Sequence, residues 1–142
     1  MKRFIPLCVT TLFLVVATPA MAGDVTVILN GVQASDQDVM IGLQTRDEFL
    51  QPKGHYGAII HHPKAGSQTV VIKDVPDGDY SISVWHDVNG NHQFDKAANG
   101  RPLDGWSMIN AAALRAAPQW DLVKFAVPAA GKTVALDMIY AQ

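Results

Sequence analysis

"DYSISVWHDVNGNHQFD" runs from Asp79 to Asp95 and changes character halfway along. Up to Asp87 it is rich in β-branched and aromatic residues at period two, the pattern of a strand. Beyond that point Asp87, Asn89, Asn91 and then Asp95 carry side-chain oxygens. An apolar strand therefore runs directly into alternating acids and amides, and the rest of the chain is read outward from that junction.

The same period recurs on both sides. "DVTVILNG" sets Val25, Val27 and Leu29 against Thr26 and Ile28 and ends at Asn30-Gly31. Val39–Thr45, His55–His62 and Gln68–Val75 follow, then Asp79–Asp87 across the turn "PDGD", where Gly78 accepts a positive φ. Trp120–Val127 and Lys132–Tyr140 make a final pair across "PAAG". Seven strands at this spacing, with Gly/Pro/Asp turns between them, predict an all-β fold, an antiparallel β-sandwich. The exception is Val88–Gln119, 32 residues in which no strand is predicted. A long loop of that kind in a compact domain is usually functional. "NAAALRAA" (Asn110–Ala117) is expected to form a short helix there, with Asn110 as N-cap and Pro118 just past its end.

The N-terminus reads as a leader. Lys2 and Arg3 precede a mostly apolar run from Phe4 to Ala17, and Ala20 and Ala22 supply the A-x-A pattern of a signal peptidase site. The run is too short to span a bilayer, which takes about 20 residues. Cleavage after Ala22 and export to the periplasm or beyond the cell are expected, leaving residues 23–142 as one domain with no membrane span. Cys8, inside the leader, is the only cysteine, so the mature chain has neither a disulfide nor a thiol nucleophile. Without Lys2 and Arg3, 9 basic residues face 13 acidic ones, a net of −4. The basic residues are scattered, which argues against nucleic acid or an anionic membrane as partner.

Three stretches together carry a family resemblance: "PDGDYSISVWHDVNGNHQFD", "NGRPLDGWSMIN" and "VKFAVPAAGKTVALDMIY". They resemble an uncharacterised family of small exported bacterial proteins, domain-of-unknown-function family 2141. The family's pattern maps onto Gly78 and Tyr80, then His86, Asp87, Asn89, Asn91 and Asp95. It continues through Gly100, Pro102, Asp104, Gly105, Trp106 and Asn110. Asp104 stands where the family usually has Glu, and Ile109 stands where a Ser precedes the Asn. The resemblance implies a sandwich of the transthyretin or carboxypeptidase-regulatory type and transfers no activity.

Calcium takes six to eight oxygens, and EF-hand loops supply them from positions 1, 3, 5, 7, 9 and 12. Counted from Asp87, these positions hold Asp87, Asn89, Asn91, Gln93 (through its carbonyl), Asp95 and Ala98. The glycine of position 6 is His92 here, and the bidentate Glu of position 12 is missing. Asp104, later in the same loop, is the candidate to replace it, at a Kd on the order of 10⁻⁴ to 10⁻³ M. The same residues also make ordinary Asx turns at a strand exit.

Two rival readings stand beside calcium. Five histidines fall within 38 residues, and His86 and His92 are the alternative ligands, for Zn²⁺ or Cu²⁺. His61 and His62 are adjacent and would point to opposite faces of a strand. Paired carboxylates among Asp87, Asp95 and Asp104 would suit a small hydrolase, but no G-x-S-x-G elbow surrounds Ser81, Ser83 or Ser107. The expectation is a non-enzymatic exported module that presents the 87–104 loop to a protein or cell-envelope partner.

Overall fold

The computed structural model describes residues 21–52 and 54–141. Most of the expected leader, residues 1–20, lies outside the described residues, while Ala22 already opens the first strand. In chain order the strands are β1 (Ala22–Val32), β2 (Val39–Gln44), β3 (Tyr56–Ile60) and β4 (Gly66–Pro76). Then come β5 (Gly78–His86), β6 (Gly105–Met108), β7 (Lys124–Val127) and β8 (Lys132–Asp137). Helix is confined to 3-10 turns at Arg46–Glu48 and Ala111–Ala113 and one α-turn, α1 (Trp120–Val123). No helix among the described residues is long and apolar enough to cross a membrane.

The strands form two sheets. One has the order β4-β1-β8; the other runs β3-β2-β5-β6, with β7 also paired to β5. β5 is the hub of the larger sheet. One of its edges pairs Ser81–His86 with Gln44–Val39 of β2. Its other edge is shared, with Gly78–Ser81 taken by β7 and Ser83–His86 by β6.

Period two is what brings the sheets together. Val25, Val27 and Leu29 of β1, Val39, Ile41 and Leu43 of β2, and Tyr80, Ile82 and Val84 of β5 are buried. They join Ile72, Val75, Val127, Val134 and Leu136 in one cluster drawn from both sheets. Each such side chain contributes about 2 kcal/mol by leaving water. A smaller cluster of Met108, Ala111 and Val123 gathers Phe49, Trp106 and Ile139 around it.

The structure departs from the sequence reading in four places. Eight strands are present among the described residues rather than seven, because Gly105–Met108 inside the supposed loop pairs with β5. β1 and β8 run parallel, from Val25↔Lys132 to Asn30↔Asp137. A parallel pair needs a crossover, and here nearly the whole chain lies between the two strands. Trp120–Val123 is helical, since Trp120 and Val123, three apart, share the buried side while Asp121 and Leu122 face out. The helix expected over Asn110–Ala117 shrinks to Ala111–Ala113. Asn110 sits in αL (φ 59°) and does not cap that turn; its amide instead donates to the Leu122 carbonyl at 2.7 Å.

Candidate functional site

β5 ends at His86, and the loop begins with a buried acid. Asp87 is 2% exposed. Its two oxygens accept backbone N–H groups of the loop, Oδ1 from Gly90 and Oδ2 from His92, each at 2.9 Å. Those bonds require a tight reversal, and both donor residues take positive φ: Gly90 at 71° and His92 at 59°. Glycine does this without strain; histidine at αL is uncommon. The glycine that an EF-hand wants at position 6 is thus replaced by a histidine in the backbone conformation the glycine would adopt.

Asn89 and Asn91 continue the turn. Asn89 Oδ1 accepts Asn91 N–H at 3.0 Å and Asn91 Oδ1 accepts Gln93 N–H at 2.9 Å, two Asx turns in succession. The amide nitrogens of both converge on one atom, Asp95 Oδ2, at 2.7 and 2.8 Å. Gln93 contributes its backbone N–H to this arrangement, and its residue is exposed.

Asp104 reaches back. A small return turn brings it there: Ala97 N–H donates to Arg101 O at 2.8 Å, and Leu103 N–H to Asp95 O at 2.9 Å. Asp104 is 1% exposed, and its Oδ2 accepts Asp95 N–H at 2.9 Å and the Trp85 indole N–H at 3.0 Å. Its other oxygen, Oδ1, is buried without a hydrogen-bond partner in the protein. Asn89, Asn91, Asp95 and Asp104 therefore belong to one network at the far end of the loop, while Asp87 holds the near end through the backbone of Gly90 and His92. Among the described residues, no three His, Cys, Asp or Glu side chains converge as metal ligands do.

The two alternative metal ligands are parted. His86 is fully buried, and its Nδ1 lies 2.9 Å from the Tyr140 hydroxyl. The His92 side chain is 87% exposed, with Nδ1 3.6 Å from Asp87 Oδ2. Burial holds the His86 pKa below its ordinary value, against the opposing pull of Asp104 and Asp87. The neighbouring Tyr140 hydroxyl is pushed up by burial, partly offset by the Gln33 N–H it accepts at 3.1 Å. His55 and His61 pair with Glu48 and Asp38. The serines are also placed: Ser107 Oγ donates to the Asp137 carbonyl at 2.8 Å, and Ser81 Oγ is buried without a partner.

An aromatic frame surrounds the loop. Trp85 meets Phe94 edge-to-face at 6.2 Å, and Lys96 Nζ lies 5.4 Å from the Phe94 ring centroid. Tyr140 packs edge-to-face on His86 at 5.7 Å. A Cβ on Gly105 would come within 2.3 Å of the Tyr140 ring. The glycine in "PLDGW" was the available signal, because a glycine inside a strand often marks a close approach.

These features define an all-β, two-sheet protein whose central strand opens into a self-bonded, Asx-rich loop. The chain belongs to domain-of-unknown-function family 2141, described as an uncharacterised protein conserved in bacteria, whose model matches residues 27–135. No curated protein and no solved structure shows a significant match to it.

Proposed function

We propose that this chain is an exported, non-enzymatic β-sandwich of the transthyretin or carboxypeptidase-regulatory type. Its 87–104 loop, ordered by its own Asx hydrogen bonds, is a rigid contact surface for a cell-envelope protein. One observation carries this reading: the loop buries its two anchoring acids and exposes apolar side chains. Asp87 and Asp104 are buried and accept loop backbone N–H groups, whereas Val88, Phe94 and Leu103 are 41%, 40% and 49% exposed. Apolar side chains on a pre-ordered loop bind at low entropic cost. Export is supported by the basic, apolar and A-x-A order of residues 1–22. The sandwich reading is supported by the single core that both sheets share.

A photo-crosslinking residue at position 94 or 103, in cells, tests the surface. A discrete protein adduct from both, absent from a control at the comparably exposed Val71, is the expected result. The same adducts from all three positions, or none from 94 and 103, would contradict it.

A second reading, Ca²⁺ at this loop, is favoured by Asp104 Oδ1, a buried carboxylate oxygen without a partner beside the Asx network. The donor set fits in kind, since Asp87, Asn89, Asn91, Asp95, Asp104 and the Gln93 carbonyl are all hard oxygens. Thermal melting of metal-stripped protein across millimolar Ca²⁺ tests this: the midpoint rises if the ion binds the folded state, and a flat midpoint dismisses it.

A further inference from the structure

We infer that the outer face of the larger sheet carries a binding site for an uncharged sugar, centred on Gly42. The starting point is a glycine without a folding reason. Gly42 lies mid-strand in β2, and its φ is outside the positive region. A Cβ built on it meets only Ser83 Oγ, at an ordinary 3.6 Å. Glycine inside a strand weakens it, and one use of the position is to let a ligand approach the backbone. Gly57, directly opposite on β3, differs: there a Cβ would lie 2.5 Å from the Ile41 carbonyl, so its glycine is enforced by packing.

Together Gly57, Gly42 and Ser83 form one row across three strands. They floor an open trough of about 740 Å³, within the size range of small-molecule sites. The next row, Ile59–Met40–Trp85, is its apolar wall. The opposite wall includes Gln51, whose carbonyl is held by the Gln44 amide at 2.6 Å. Trp85 is pinned twice, by Phe94 against its ring and by Asp104 on its indole N–H, so the wall is pre-organised.

The chemistry of the occupant follows from these surfaces. Among the described residues the trough is lined by no Asp, Glu, Lys or Arg, and its one histidine, His61, is already paired with Asp38 at 3.0 Å, which favours a neutral ligand. One wall is apolar, while Ser83 and Gln51 offer hydrogen bonds, which favours an amphipathic one. The trough is open, so one side of the ligand stays wet. A purely apolar molecule gains little from such a site, and a peptide strand would be matched by a sheet edge rather than a face. A pyranose ring fits all three conditions, with its C–H face on Met40 and Trp85 and its hydroxyls at Ser83, Gln51 and water. Neither Phe94 nor Leu103 lines the trough, so sugar binding here and crosslinking at positions 94 and 103 are read out separately.

The test is amide and indole NMR of the folded protein titrated with cellobiose, maltotriose and N,N′-diacetylchitobiose, with digalacturonic acid as the charged comparison. At least one neutral sugar is expected to shift Gly42, Gly57, Ser83 and the Trp85 indole, with a Kd on the order of 1 mM. Gly42→Leu should weaken that binding by about 10-fold or more, since it overfills the floor. Its melting temperature should be equal or higher, which a merely structural glycine would not give. No shift from any neutral sugar, tighter binding of the acid, or unchanged binding in Gly42→Leu would each overturn the inference.

Discussion

Asp104 Oδ2 accepts the Trp85 indole N–H at 3.0 Å, which ties the far end of the loop to the strand the loop leaves. The same oxygen holds Asp95 N–H at 2.9 Å. One carboxylate oxygen thereby closes the circuit of strand, Asx turn and return segment. Asp104→Ala leaves both donors unpaired and should lower stability by about 3 kcal/mol, whereas Asp104→Asn, which keeps an acceptor, should lose about half as much. Urea unfolding followed by Trp fluorescence measures both. Equal losses would mean that these hydrogen bonds do not hold the loop.

Asp87 makes the corresponding pair of bonds at the near end. Asp87→Ala should lower stability by about 3 kcal/mol in metal-free buffer, through the exposed donors of Gly90 and His92. On the calcium reading, wild type gains about 1.4 kcal/mol at a tenfold excess of Ca²⁺ over Kd and the variant gains nothing. Paired melts with and without Ca²⁺ decide this. Identical losses in both conditions would leave Asp87 as a backbone acceptor alone.

His86 predicts a pH dependence on the mildly acidic side. Its folded pKa lies below the ordinary 6.5 because burial disfavours the charged ring. The unfolded chain then binds more protons between the two values, so stability is fully present above pH 6.5. It falls as pH drops through that window and levels off below the folded pKa. His86→Phe should remove this slope. Denaturant midpoints followed from about pH 8 to about pH 5, the range of histidine titration, report it; an unchanged slope in the variant would assign the effect to other groups.

Gly105 and Tyr140 should be coupled. Gly105→Ala drives a Cβ into the Tyr140 ring and is expected to cost about 2 kcal/mol. In the background of Tyr140→Leu, which gives up the wide ring, the same change should cost less. A double-mutant cycle with no interaction energy would show that the ring gives way freely.

What the sequence made legible was local. β1, β2, β4 and β5 follow from alternating side chains, and the buried sets Val25/Val27/Leu29 and Val39/Ile41/Leu43 are that alternation made physical. Gly105–Met108 was missed because four residues are too few to show a period, and its strand character comes from pairing with β5. The parallel partnership of β1 and β8 has no local signal at all. At Trp120–Val123 β-like composition misled, while the three-residue spacing of its buried side chains pointed to a helical turn. In the loop, the oxygens were visible by spacing. Their destination was not, because whether Asp104 turns toward Asp95 depends on the return turn through Asn99–Arg101 and on Trp85.

The central claim is that the 87–104 loop is ordered by its own hydrogen bonds. Native-state hydrogen exchange of metal-stripped protein reads this at the amides of Gly90, His92 and Asp95, the donors to Asp87 and Asp104. All three should be protected together, and lost together in Asp87→Ala. Exchange at unprotected rates in the metal-free protein would contradict the claim.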